Sequence, residues 1–100
     1  MTKPRHAHAV DPALKQSALT RLRRIEGQVR GIQRMVDEER YCADTLVQLS
    51  AIQESLRAVS QVLLRNHLEH CAADAIRSGD RERREKMVDE LMELFFKHVR

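Results

Sequence analysis

One hundred residues make one small domain at most. A chain of that length buries only about two-thirds of its unfolded surface, so a lone protomer is marginal. Three aromatics and no Trp require an aliphatic core, and with 33% charged residues and a mean hydropathy of -0.54 the composition suits an oligomer of amphipathic helices better than a three-layered core. No apolar run reaches the roughly 18 residues of a membrane span, and no N-terminal apolar stretch reads as a signal peptide. The expected setting is the cytoplasm, where thiols stay reduced and two cysteines read as reactive or metal-binding rather than as a disulfide framework.

The formal charge of +3 is unevenly spread. Residues 1–40 carry nine Lys and Arg against five Asp and Glu, residues 41–79 three against four, and residues 80–100 six of each. The surplus therefore sits in the first helix-forming segment and points to an acidic partner.

Residues 1–11 hold His6, His8 and Pro4 without apolar periodicity, and are expected to be a flexible tail ahead of a helical domain over 12–100. Asp11 followed by Pro12 is a helix-start signal. Leu14, Ala18, Leu22, Ile25, Val29, Ile32 and Val36 then recur at spacings of three and four, which predicts one apolar face on a helix of about 25 residues. Gly27 and Gly31 weaken it locally, and small residues four apart also permit close approach of another backbone.

The polar stretch Asp37–Tyr41 breaks the stripe. A second helix is predicted from about Ala43 to Arg77, with Leu46, Leu49, Ile52, Leu56, Val59, Leu63 and His67 on its inner face. Ser78-Gly79-Asp80 is a stop and restart, and a third helix is predicted over about Arg81 to Val99, with Met87, Val88, Leu91, Met92, Leu94 and Phe95 inward. Nothing alternates as a strand does. The middle helix is about two turns too long for a lone domain of this size, so another protomer is expected to cover its face.

The stretch Asn66-His67-Leu68-Glu69-His70-Cys71 concentrates possible metal ligands. His67 and Cys71, four apart, share one helix face, whereas His70 points about 100° away from Cys71. The other soft ligand, Cys42, lies 25 residues before His67, which is roughly 37 Å of helix. A shared ion therefore requires two protomers, with Cys42 of one meeting His67 and Cys71 of the other in an antiparallel two-fold dimer. Two thiolates and one imidazole suit Cu(I), serve Zn(II) with a fourth ligand, or hold Ni(II) in a planar set. Spacing alone leaves open the plain alternative of buried cysteines and a satisfied histidine.

Opposite the apolar stripe of the first helix, Arg23, Arg30 and Arg34 fall within about 40° of one another, with Lys15, Arg21 and Arg24 nearer the flanks. Between residues 15 and 34 only Glu26 interrupts the sign. Such a face suits duplex DNA contacted along its phosphates, the alternative being a solvated surface. No zinc-finger spacing, helix-turn-helix turn or aromatic stacking set is present.

In combination, "LTRLRRIEGQVRGIQRMV" (19–36), "YCADTLVQLSAIQ" (41–53), "NHLEHC" (66–71) and "DELMELF" (89–95) resemble the copper-sensing operon repressor (CsoR) family of bacterial transcriptional repressors, over about residues 14–98. The resemblance implies an all-α, three-helix protomer, an antiparallel four-helix-bundle dimer core, and a dimer of dimers forming a homotetramer. It implies an apo form that binds double-stranded operator DNA and an inducer that releases it. It assigns Cys42, His67 and Cys71 as trigonal Cu(I) ligands, Tyr41 and Glu90 as residues behind them that link the site to the third helix, and Arg21 as a DNA-binding position. Ala58 stands where the family pattern has a second basic residue, with Arg57 adjacent.

His67 departs from the persulfide-sensing branch, and Thr2 from the formaldehyde-sensing branch, which has Pro there. Nickel/cobalt sensors add an N-terminal histidine; Val10 holds that position, but His6 and His8 lie just upstream, so a Ni(II)/Co(II)-responsive repressor is the alternative. A metal-buffering helical protein that never touches DNA is a further one. An enzyme is not expected, since no acid/base dyad or nucleophile–base pair emerges.

Overall fold

The computed structural model describes residues 4–7 and 9–98, and all of its regular structure is helical. The elements are α1 (Pro12–Asp37), α2 (Cys42–Asn66), a π-helical turn π1 (His67–Ala72), α3 (Ala73–Arg77), α4 (Arg81–Glu93) and a second π-helical turn π2 (Leu94–His98). α2, π1 and α3 follow one another without a break, so the protomer has the three expected helical segments. The predicted end of the third segment at Val99 lies outside the described residues.

The chain forms two compact units, one of residues 12–63 and one of residues 1–11 with 64–100. In the first, Ala18 and Ile25 of α1 form a core with Ile52 and Val59 of α2, flanked by Ile32 and Val62. These residues stand seven apart along each helix, which keeps them on one seam. The stripe is split, because Leu22, Val29, Val36, Leu46, Leu49, Leu56 and Leu63, all expected inward, are exposed in the protomer. Each helix buries one edge of its apolar face and leaves the other open. Nothing lies within 4 Å of a Cβ placed on Gly27 or Gly31, so the close approach those glycines permit is not used within the protomer.

α1 ends in a Schellman motif. Arg40 N–H donates to the Met35 carbonyl at 2.9 Å and Glu39 N–H to the Val36 carbonyl at 3.1 Å, with Glu39 at φ 55° where glycine is usual. The Tyr41 carbonyl then opens α2 by accepting from the Asp44 and Thr45 amides.

In the second unit the stop and restart read from Ser78-Gly79-Asp80 is present in full. Gly79 adopts φ 76°, and the Asp80 carboxylate caps α4 by accepting from the Glu82 and Arg83 amides. Arg83 also reaches back to Asp74 at 3.0 Å, joining α4 to α3. Of the residues expected inward on the third segment, Met87, Leu91 and Leu94 are half-buried while Val88, Met92 and Phe95 are exposed.

The two left-handed positions yield a paired prediction. Glu39→Gly should raise the unfolding free energy by about 0.5–1 kcal/mol by removing side-chain strain, whereas Gly79→Ala should lower it by about 1 kcal/mol. Urea denaturation at fixed protein concentration measures both, and the signs must be opposite.

Candidate metal centre and nucleic-acid interface

The sequence around the candidate ligands contains neither Pro nor Gly, and an uninterrupted α-helix was the expectation. The structure instead switches winding at His67. π1 runs His67–Ala72, and the Ala73 amide closes it on the carbonyls of Leu68 and His70. A π-turn inside a longer helix is uncommon and recurs at functional sites, because it re-aims side chains without breaking the rod. Four residues remain close to one turn, so His67 and Cys71 stay on neighbouring positions of one face.

His67 and Cys71 are both half-buried, and the His67 Nε2 atom is out of solvent with no hydrogen-bond partner. Glu90 of α4 stands 3.9 Å from that nitrogen, near enough for charge to be felt but beyond hydrogen-bonding distance. A buried imidazole nitrogen without a hydrogen-bond partner, four residues from a thiol on the same helix, is donor chemistry that suits a soft metal ion. His70 Nε2 is likewise buried and unpartnered. His70 is nevertheless one residue from Cys71 rather than four, which keeps it off the shared face.

Cys42 is the first residue of α2 and is exposed, as is Tyr41 before it. Cys42 lines a surface hollow with Val36, Glu39, Arg40, Thr45 and Leu46. Among the described residues, no three His, Cys, Asp or Glu side chains of the protomer are arranged to hold a metal ion. Of the added-ligand candidates, His6 is exposed and His8 lies outside the described residues.

Lys15, Arg21, Arg23, Arg24, Arg30 and Arg34 are all exposed on α1. They are not equally available. Glu26 holds the Arg30 guanidinium at 2.6 Å, and the Arg21 Nε donates to the Ser17 hydroxyl at 3.3 Å. Arg21 and Arg24 line a polar hollow with Ile25 and with Glu54, Ser55 and Ala58 of α2. Ala58, standing where a basic residue was expected, thus borders the same hollow as Arg21, while Arg57 pairs with Glu54 at 3.2 Å.

The family profile described as metal-sensitive transcriptional repressor matches residues 14–97. The chain belongs to the metal-sensitive transcriptional repressors. It is 50% identical over 86 residues to the copper-sensing transcriptional repressor CsoR of Bacillus subtilis, covering 86% of this chain and 82% of that one. It is 51% identical over 65 residues to the copper-sensing repressor RicR of Mycobacterium tuberculosis, covering 65% and 68%. Among solved structures it resembles the copper-sensing repressor CsoR with Cu(I) from Geobacillus thermodenitrificans, with a TM-score of 0.75 and 44% identity over 92% of this chain and 98% of that one. It also resembles the nickel-responsive regulator InrS, with a TM-score of 0.68 and 31% identity over 90% and 97%.

Family membership makes the chain a transcriptional repressor and not an enzyme. One polar residue of this repressor has a role that the sequence motifs do not announce. Asn66, only 8% exposed, bonds through its side-chain amide to the backbone at Ala9 and Asp11. Its signal was available in the spacing, because Asn66 falls seven residues after the buried Val59 and puts an amide where an apolar residue is due.

Proposed function

We propose that the protein is a Cu(I)-responsive repressor whose apo form binds operator DNA and whose metal-bound form releases it. The observation that carries this reading is the buried, unpaired Nε2 of His67 on the same turn as Cys71, in a chain half identical to a copper-sensing repressor. Cys42, His67 and Cys71 hold the metal, with Cys42 given by one protomer and the other two residues by its partner. Cu(I) supplies a soft, low-coordinate centre that favours two thiolates and an imidazole. Glu90 of α4, 3.9 Å from the His67 ring, and Tyr41 stand behind the ligands.

The open halves of the apolar stripes are the dimer face. Leu46, Leu49, Leu56 and Leu63 lie along one side of α2, and covering what remains exposed of each contributes about 1 kcal/mol. Two copies packed antiparallel form a four-helix core, and two such dimers form the tetramer. The protein works in the cytoplasm; among the described residues no helix is long and apolar enough to cross a membrane.

Lys15, Arg21, Arg23, Arg24 and Arg34 face the DNA phosphates, with Arg30 shared between phosphate and Glu26. By linkage, whatever factor the metal takes from DNA affinity, DNA takes from metal affinity. The nickel-responsive structural relative supports one second reading, a Ni(II) or Co(II) sensor that recruits His6 or His8. Ni(II) spectra that change on deleting residues 2–9 would favour it, whereas unchanged spectra with much tighter Cu(I) binding favour copper.

In a fluorescence-anisotropy titration of promoter DNA, Cu(I) should weaken binding by wild type and leave Cys42→Ala unaffected, with both apo proteins binding alike. Wild-type binding indifferent to Cu(I) would contradict the proposal. Arg21→Ala should lower the slope of log affinity against log salt by about 1, as loss of one phosphate contact does. Glu54→Gln should raise duplex affinity several-fold, since it removes a negative charge from the hollow that holds Arg21 and Arg24.

A further inference from the structure

Asn66 sits at a junction in three respects. It is the last residue of α2, the residue before the π-turn, and the neighbour of His67. Its side-chain Oδ1 accepts from the Asp11 amide at 2.9 Å, and its Nδ2 donates to the Ala9 carbonyl at 3.0 Å. These two bonds span 55 and 57 residues of sequence and use both ends of one amide. Asp cannot donate the second, and an apolar residue can form neither. Residues 9–11, expected as part of a flexible tail, are thereby held in register against the start of π1.

Asp11 is followed directly by Pro12, the first residue of α1, and α1 carries the Arg face. The backbone of the segment entering α1 is therefore tied, through one buried side chain, to the residue beside a metal ligand. We propose that Asn66 is a positioning residue for the metal response. Through it, a change in the ligand-bearing π1 turn is transmitted to the segment leading into the DNA-facing helix. The inference rests on the reading of His67 and Cys71 as metal ligands, and adds a link that neither the ligands nor Glu90 supply. A buried amide that merely satisfies itself would support stability and leave the response intact; one that transmits would affect the response selectively.

The test is the ratio of promoter-DNA affinities without and with Cu(I), measured on the full-length oligomer for wild type and Asn66→Ala and on the oligomer of a chain lacking residues 2–11. Wild type reports on the proposed function alone, and a wild-type ratio near unity rejects that reading before the inference is reached. With wild type responsive, Asn66→Ala should cut the ratio about tenfold or to near unity, while apo DNA affinity stays within about threefold. The truncated chain keeps Asn66 and removes what it holds, so its ratio should fall equally; it also decides the matter if Asn66→Ala does not fold. Hydrogen exchange should show the Asp11 amide losing protection in Asn66→Ala. A full ratio in either variant, or a lost ratio with the Asp11 amide still protected, overturns the proposal.

Discussion

A 25-residue α-helix is about 37 Å long, and α2 has Cys42 as its first residue and His67 immediately after its last. No single ion reaches both ends of such a rod. If all three soft ligands serve one metal, the chain must pair with another copy, and metal binding is inseparable from assembly. The charged composition and the split apolar stripe follow the same logic. A protomer that buried all its leucines would have no surface left to bring a second Cys42 to its own His67. On the proposed reading, the exposed Leu46, Leu49, Leu56 and Leu63 belong to the metal site's construction as much as to the fold's.

The π-turn adds a second constraint. π1 begins at His67 and includes Cys71, so the two proposed ligands occupy the one stretch of the second helical segment whose backbone departs from α geometry. Asn66 on its N-terminal side bonds to Ala9 and Asp11, Glu90 stands 3.9 Å from the His67 imidazole, and just beyond the turn the Arg83–Asp74 pair joins α4 to α3.

Much of this was legible in the sequence because its signals were local. The helix limits at Pro12 and at Ser78-Gly79-Asp80 are set by side chains acting on adjacent backbone, and the structure has them where they were read. The seam of Ala18, Ile25, Ile52 and Val59 is contained in the apolar spacing. What spacing could not do was divide the stripe. Leu22 and Ile25 look equivalent on a wheel, yet one is open and the other buried, because that choice depends on how two helices cross. The winding change at His67 had no local signal either, as no residue there breaks an α-helix. Glu39 in a left-handed position was hidden for the opposite reason, since the motif that ends α1 overrides the residue's own preference. The partnership of Asn66 with Ala9 and Asp11 joins parts of the chain too far apart for any pattern to link.

The central claim, a metal site divided between two protomers, has one direct test by complementation. Chains carrying Cys42→Ala are mixed and reassembled with chains carrying His67→Ala and Cys71→Ala. In a mixed pair one site loses every ligand, while the other keeps Cys42 from one chain and His67 with Cys71 from the other. Tight Cu(I) binding, measured by competition with a chelator, should be absent from each variant alone and reappear in the mixture at one ion per mixed pair. A mixture that binds no more than its separate parts would contradict a shared site.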